Sequence, residues 1–176
     1  MRYGLYLTFD EKAEKALQNI RRDLTRQVHS LPGVDGKMRP HLTMLIFDDD
    51  DHSSVLIRFK PLADKLESFP IKLGGIGHFQ GRRHVVFVEP VMSEKLKDSY
   101  EHCRTAYTQS TIVSAYNDLA LWKPHVTLAK GIKSYTPFKK AKDFAERHWS
   151  PAETHVCSFG LIDVQKPTQP LAEKVF

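Results

Sequence analysis

The chain of 176 residues is 41% hydrophobic and 27% charged, which is typical of a globular protein with its own core. It has no apolar run near the ~20 residues that cross a bilayer, and Asp10 interrupts the first strand-like segment too early for a signal peptide. The net charge of +5 favours an anionic partner only weakly, because modest basicity is common. We expect a single domain over residues 1–176, a monomer, and no membrane partner.

The first part of the chain alternates strands and helices. The pattern predicts a strand at 3–9, a helix at 11–30, a loop at 31–36, a strand at 41–47 and a helix at 53–68. Asp10 is the expected N-cap of the first helix. Apolar residues support the two helices: Ala13, Leu17, Ile20, Leu24 and Val28 in the first, and Val55, Ile57, Phe59, Leu62 and Leu66 in the second.

The second part repeats this alternation. Strands at 71–79 and 84–91 are joined by a hairpin turn centred on Gly81. A helix at 93–113, a strand at 125–130, a helix at 138–148 and a final strand near 154–164 follow. Because two similar halves share one chain with no linker between them, the sequence predicts an α+β fold. We expect a bilobal molecule, with two pseudo-symmetric lobes of antiparallel sheet, helices outside and a central cleft.

The two cysteines, Cys103 and Cys157, lie far apart in sequence and in different predicted elements. They form neither a CxxC pair nor a disulfide framework, which fits a reducing compartment. We therefore expect a cytoplasmic protein.

One short pattern, Pro-His-apolar-Thr-apolar, occurs once in each half. The copies run from Pro40 to Met44 and from Pro124 to Leu128, 84 residues apart. A single His-x-Thr on a strand is typically a buried histidine bonded to a neighbouring hydroxyl. Roughly 0.005 matches to the full pattern are expected in a random chain of this composition, so two copies indicate a function.

The chemistry of the two copies follows from strand geometry. Alternation sends the His and Thr of each copy to one face and the apolar residues to the other. If the two strands face each other, His41, Thr43, His125 and Thr127 share one cavity. Imidazoles titrate at about pH 6.5 and can exchange protons, and hydroxyls donate hydrogen bonds to phosphoryl oxygens. This set of groups suits the handling of a phosphodiester.

The paired motifs, their spacing and the order of elements resemble the 2H phosphoesterase superfamily, especially its bacterial 2′,3′-cyclic RNA phosphodiesterases, also called 2′-5′ RNA ligases. The resemblance in element order spans most of the chain, while its specific content lies in the two motifs. It implies a central groove, no metal, no other cofactor, and acid–base catalysis by His41 and His125. It also implies that Thr43 and Thr127 bind the substrate phosphate.

Two further roles follow from the resemblance. Many members of the family carry a basic residue after the second motif that holds phosphate, and Lys130 stands at the matching place. That residue is often arginine, so a lysine supplies a point charge without a bidentate fork. An aromatic residue often follows the first motif as a platform for a base, and Phe47 is the candidate here.

Four cationic residues are additional candidates for the substrate cleft. Arg39 and Lys123 directly precede the two motif prolines, and Arg82 and Arg83 lie in the predicted hairpin turn. Exposed cations at such positions also occur without any function, so both interpretations stay open.

A metal site is not expected from the sequence. His78 and His84 flank the hairpin, but the close ligand spacing typical of zinc, such as HExxH or paired CxxC, is absent.

The sequence thus predicts a metal-independent cyclic phosphodiesterase that opens 2′,3′-cyclic phosphates on RNA ends or small nucleotides. The same site run backwards would join RNA ends through a 2′-5′ linkage. Three alternatives stay open: a phosphodiesterase for 2′-5′ oligonucleotides, one for a cyclic phosphate on a nucleotide-sugar, and an RNA-binding module without catalysis. The sequence does not decide which histidine is the acid.

Overall fold

A computed structural model of the chain describes residues 1–28, 31, 38–167 and 169–176. The strands are β1 (Arg2–Phe9), β2 (Leu42–Asp48), β3 (Pro70–Phe79), β4 (His84–Pro90), β5 (Thr111–Ile112), β6 (Val126–Ile132), β7 (Ala152–Asp163) and β8 (Pro170–Val175). The helices are α1 (Glu11–Gln27), α2 (His52–Lys65), α3 (Glu94–Ala106) and α4 (Tyr135–His148), and a 3-10 turn covers Ser114–Tyr116. None of the described helices combines the length and apolarity needed to span a membrane.

The eight strands form one antiparallel sheet in the order β1-β2-β6-β4-β3-β7-β8, with β5 on the outer part of β2. The long strand β7 connects β3 with β1, because its start pairs with β3 and the rest of it pairs with β1. The sheet therefore has two halves. We call β1, β2, β5 and β8 the His41 half, and β3, β4 and β6 the His125 half, after the motif histidine that precedes β2 or β6.

The helices cover the sheet from outside. In the His125 half, α4 packs on β3, β4 and β6, while α2 and α3 pack on each other and on β8 and β2. The N-terminus of α1 is capped by the Asp10 carboxylate, which accepts a hydrogen bond from Ala13 N at 2.9 Å. These observations confirm the predicted α+β fold with antiparallel sheet and outer helices.

The two motif strands meet at a single residue pair. Leu42 of β2 pairs with Val126 of β6, and both side chains are fully buried. Each strand then carries a β-bulge one residue after its threonine. Tyr6 and Leu5 of β1 pair with residues 43 and 45, and Phe87 and Val86 of β4 pair with residues 127 and 129. A bulge reverses which face the following residues point to, so strict alternation ends at that point.

Most predicted elements are confirmed, with shifts of a few residues at their ends. The predicted helix at 93–113 is wrong over its last third, residues 107–113, because α3 ends at Ala106 and Thr111–Ile112 adds a short strand to β2. The run Thr111, Ile112, Val113 is β-branched, which disfavours helix, and the edge of β2 offers it hydrogen-bond partners. The helix predicted at 138–148 begins earlier, at Tyr135, since Pro137 fits a first helical turn.

Three smaller differences concern burial and chain ends. Ile57 is 73% exposed, because it falls out of phase with the buried residues Val55, Phe59 and Leu62 of α2. Strand β8 was not predicted, since as an edge strand it keeps most of its side chains half or fully exposed and shows no apolar alternation. The end of the first predicted helix and residues 32–36 of the predicted loop lie outside the described residues.

Candidate active site

A cavity of about 540 Å³ lies between the two halves of the sheet. Its lining includes His41 and Thr43 from the first motif, His125 and Thr127 from the second, and Lys130. The structure thus brings together the five residues that the sequence and the family resemblance place at the phosphate. The prediction that both motifs serve one cavity agrees with this arrangement.

The pairing of Leu42 with Val126 explains why the four motif side chains converge. In an antiparallel pair, the residues flanking this position stand opposite one another, so His41 lies beside Thr127 and Thr43 beside His125. All four are one residue removed from a buried position and therefore point to the opposite face. A local two-fold relation through this pair generates the site.

Both histidines are held in the same way by the backbone. His41 Nδ1 lies 2.9 Å from Arg39 O, and His125 Nδ1 lies 2.8 Å from Lys123 O. A carbonyl oxygen can only accept a hydrogen bond, so Nδ1 carries a proton in each ring. The neutral imidazoles therefore keep an unprotonated Nε2, the atom suited to proton transfer.

An aromatic ring stands behind His41. The Tyr6 ring meets the imidazole edge to face with the ring centres 5.9 Å apart. Tyr6 is opposite Thr43 in β1, and its own ring lies over Gly160 of β7, where any Cβ would overlap it. A side chain at residue 160 would therefore displace the Tyr6 ring from its place against His41.

His125 has a corresponding support. The rings of Phe87 and Phe79 both lie with their centres 5.0 Å from that of the imidazole. Phe87 is opposite Thr127 in β4, and it lies over Gly77 of β3, where a Cβ would overlap the Phe87 ring. Each histidine therefore packs against an aromatic residue that is seated on a glycine.

The cavity disfavours protonation of its histidines. Loss of hydration lowers the pKa of His41 to about 4, and the positive charges of Arg21 and Lys130 act in the same direction. Loss of hydration also lowers the pKa of His125, opposed by the hydrogen bond to Lys123 O. Both rings are accordingly neutral at neutral pH in the unliganded site.

Sequence reasoning missed Arg21, which also lines the cavity. The side chain is only 7% exposed and projects from the buried face of α1. The sequence does contain a sign of this burial, because Arg21 lies four residues after Leu17 and between Ile20 and Leu24. A charged residue within an apolar helical stripe is unusual and indicates a specific role.

The two bulges give the cavity two different ends. Residue 46 and its counterpart 84 positions later, residue 130, both turn into the cavity after the bulge, and they are Ile46 and Lys130. Ile46 pairs with Gly4 of β1, which pairs with Ile162 of β7, whereas Lys130 brings a positive charge to the lining. The other apolar or aromatic members of the lining include Leu5, Tyr116, Val164 and Pro167.

The prediction that Phe47 stacks on a base is wrong. Phe47 has no exposed surface and packs in the core, with its ring centre 5.5 Å from that of Tyr3 and 4.3 Å from that of Tyr107. Strict alternation would place residue 47 on the same face as His41 and Thr43. The bulge at Met44 turns it to the opposite face.

The other four candidate residues lie outside the cavity lining. The Arg39 guanidinium bridges Glu14 at 3.0 Å and Glu173 at 3.5 Å, so its charge is already compensated. The side chains of Lys123, Arg82 and Arg83 are exposed and form no ion pair within the described part of the chain.

Potential metal ligands are dispersed over the described residues. No three His, Cys, Asp or Glu side chains within them approach closely enough to share a metal ion. His78 and His84, which flank the hairpin, instead pack on Phe138 of α4, with ring centres 5.6 and 4.5 Å away.

The fold and the cavity define a two-histidine, two-threonine site at the centre of a bilobal antiparallel sheet. The family model of the 2′-5′ RNA ligase superfamily matches residues 7–168, and the chain belongs to this superfamily of phosphoesterases and ligases. No curated protein sequence matches the chain.

Solved structures with the same fold cover almost the whole chain. TT0787 of Thermus thermophilus has a TM-score of 0.67 and 21% identity, covering 99% of this chain and 94% of its own. E. coli LigT complexed with phosphate has a TM-score of 0.63 and 14% identity, with 99% and 96% covered. Usb1 of Kluyveromyces marxianus has a TM-score of 0.54 and 11% identity, with 99% and 98% covered. At these identities the likeness concerns the fold.

Proposed function

We propose that this protein is a phosphodiesterase that opens 2′,3′-cyclic phosphates at RNA ends by means of His41 and His125. The observation that carries the proposal is the single cavity in which both imidazoles have Nδ1 bonded to a backbone carbonyl and Nε2 left for proton transfer. Superfamily membership supports phosphoester chemistry. E. coli LigT, which shares the fold, is known in complexes with phosphate and with 3′-AMP, and we extend this class of ligand to the cavity here.

The proposed reaction divides the work between the two histidines. His41 Nε2 accepts a proton from water, and the water oxygen attacks phosphorus. The bond from phosphorus to one ribose oxygen breaks, and the protonated His125 gives its proton to that oxygen. Thr43 and Thr127 donate hydrogen bonds to the non-bridging oxygens, and Lys130 offsets their negative charge. Run backwards, the same groups would join a ribose hydroxyl to a cyclic phosphate.

We assign the base role to His41 because the cations of the site act on it. Loss of hydration lowers the pKa of His41 to about 4, with Arg21 and Lys130 acting in the same direction, and this keeps the ring unprotonated, with the Nε2 lone pair free. His125 lies against the faces and edges of Phe79 and Phe87, which carry no charge. A bound phosphate anion favours protonation of a nearby imidazole, which makes His125 the better acid in the complex.

The distribution of charge favours an RNA strand over a small nucleotide. Residues 68–88 and 119–142, which include all of β3 and β6 and most of β4, contain nine Lys and Arg and no Asp or Glu. The rest of the chain has 17 basic and 21 acidic residues. The excess of positive charge therefore lies in these two segments, although Lys139 and Lys142 form ion pairs with Asp143 and Glu146 of α4. A polyanion that extends beyond the cavity would benefit from such a surface, whereas a single cyclic nucleotide would not.

Strand pairing connects this charge to the cavity. His84 of β4 pairs with Ile132 of β6, so the hairpin residue Arg83 and the strand-end residue Lys133 stand at the same end of the sheet. Val85, two residues after Arg83, and Lys130, three residues before Lys133, line the cavity itself. At about 3.3 Å per residue, two strand positions from the cavity amount to about 7 Å. RNA leaving the cavity would meet this surface at once.

The test is hydrolysis of a hexameric RNA that ends in a 2′,3′-cyclic phosphate, in EDTA, by the wild type and by His125→Ala. We expect turnover by the wild type and a loss of at least ~10²-fold in the variant, since the leaving oxygen loses its acid. His155→Ala, which removes an exposed histidine, is the matched control and should keep full activity.

The same assay with a 2′,3′-cyclic mononucleotide examines the substrate class. The wild type should show the lower KM for the RNA at low salt, and this preference should shrink as salt rises, since counterion release drives phosphate contacts. Equal KM values at all salt concentrations would support the small nucleotide. Absence of turnover with either substrate, or activity that returns only with added metal, would overturn the proposed function.

A further inference from the structure

Arg21 is a buried cation of the site that belongs to neither copy of the Pro-His-apolar-Thr-apolar motif. It lies on the face of α1 that holds Leu17, Ile20 and Leu24 against the core, and it lines the cavity. A charge on such a face is costly unless hydrogen bonds and an opposite charge compensate it. Hydrogen bonds to the backbone compensate the Arg21 guanidinium, whereas an adjacent carboxylate is missing among the described residues.

Among the described residues, the partners of the guanidinium are all backbone carbonyls. Nε and Nη2 donate to Thr127 O at 2.9 and 2.6 Å, and Nη1 donates to Met38 O at 3.2 Å. Met38 lies three residues before His41, and Thr127 lies two residues after His125. One side chain therefore ties the segments that carry the two histidines.

No carboxylate neutralises this charge within the described residues. Glu14 is the acidic group that acts on Arg21, but its carboxylate is bonded to Arg39 at 3.0 Å. Loss of hydration lowers the pKa of Arg21 to about 10, as expected for a cation without an adjacent counter-ion. At neutral pH the guanidinium stays charged, and within the described residues the cavity has this positive charge beside Thr127 without a paired carboxylate.

We propose that Arg21 is the buried counter-charge for the bound phosphoryl group and that it positions the two histidine segments around that group. The proposal rests on the proposed function, since it names a further residue of the same phosphate site. A guanidinium has five N–H groups, and the bonds to the two carbonyls use three. The remaining two, one on Nη1 and one on Nη2, find no acceptor within the described chain and are available to phosphate oxygens.

Unlike a surface arginine, Arg21 is held in one position before any anion binds. Three hydrogen bonds hold the planar group, so little rotamer freedom is lost when an anion arrives. A preorganised charge in a site of low polarity stabilises developing negative charge more than a mobile one in water. Lys130, which is exposed at the end of the cavity, supplies a second and more mobile charge.

The charge of Arg21 also acts on His41. The titratable and charged groups that face His41 from the surrounding elements are Glu14 and Arg21 of α1, Tyr6 of β1, Arg39, His125 and Lys130 beside it, and Glu173 of β8. Of these, Arg21 is the largest charge effect on the pKa of His41, and it lowers this pKa. Removal of the charge should therefore raise the pKa of His41.

The test uses Arg21→Met and Arg21→Lys, with inorganic phosphate as the probe. Calorimetric titration measures phosphate affinity, and NMR titration of the imidazole protons measures the pKa of His41. We expect Arg21→Met to weaken phosphate binding at least ~10-fold and to raise the pKa of His41. Arg21→Lys, which keeps the charge, should retain most of the affinity and the low pKa, but should lower kcat because a lysine cannot bridge both carbonyls. Arg26→Met, on the exposed part of the same helix, is the matched control.

The outcomes separate this proposal from the proposed function. Unchanged phosphate affinity and an unchanged His41 pKa in Arg21→Met would overturn the proposal, as would a wild type that does not bind phosphate. If Arg21→Met does not fold, Arg21→Gln, which keeps an N–H donor but no charge, gives the same comparison. A wild type that binds phosphate through Arg21 but hydrolyses no cyclic phosphate would overturn only the proposed function.

Discussion

The His41 half and the His125 half of the molecule are built on the same local plan. In each, a proline precedes the histidine, a backbone carbonyl two residues before the histidine holds Nδ1, and a bulge follows the threonine. An aromatic ring seated on a glycine supports each imidazole. The groups proposed to transfer protons are thus duplicated with little change.

The groups around this shared plan differ between the halves. Ile46 occupies the position that Lys130 has in the other half, and Tyr6 the position that Phe87 has. Thr43 O accepts a hydrogen bond from the Trp122 indole at 3.3 Å, whereas Thr127 O accepts from a guanidinium. In the proposed mechanism, the residues that transfer protons are therefore the same in both halves, whereas the residues around the phosphate differ between the halves. Under this proposal, a bound anion would lie closer to Arg21 and Lys130 than to Ile46.

The aromatic residues of the two halves provide the largest test of this comparison. Phe47→Ala should lower the free energy of unfolding by about 3–5 kcal/mol, because the ring fills the core, while kcat/KM of the folded enzyme stays close to that of the wild type. Phe87→Ala should also destabilise the fold but should reduce kcat as well, since its ring contacts His125. Urea unfolding and steady-state kinetics measure both effects. A Phe47→Ala enzyme that is stable but binds RNA poorly would restore the stacking role.

The two threonines are expected to show a smaller and more equal effect. Thr43→Ala and Thr127→Ala should each raise the activation free energy by about 1.5–3 kcal/mol, the usual value of one hydrogen bond to a charged group. Thr43→Val and Thr127→Val remove the hydroxyl and keep the branched shape, so they separate the hydrogen bond from strand packing. If the valine variants were fully active, neither hydroxyl would contact the phosphate. If only one valine variant lost activity, only that threonine would bind the phosphate. This result would contradict the role proposed for the other threonine.

The sequence predicts the duplicated part of the site better than the part that differs. Repetition of one pattern was enough to bring His41, Thr43, His125 and Thr127 together, because strand alternation holds across these three-residue spans. Phe47 lies beyond a bulge, and a bulge leaves no mark in the local pattern of apolar residues, so its face was predicted incorrectly. Arg21 belongs to a helix that the sequence predicts well. Its contacts with Met38 and Thr127, which lie 17 and 106 residues further along the chain, depend on tertiary packing, however.

The most direct test of the account is a double-mutant cycle on the two histidines. His41→Ala, His125→Ala and the double variant are compared with the wild type in kcat for the cyclic-phosphate RNA, after urea unfolding has shown that all are folded. If the two halves serve one reaction, each single variant should lose at least ~10²-fold, and the double variant should lose little more than either. A double variant whose loss equals the product of the single losses, or a single variant with nearly normal kcat, would contradict it.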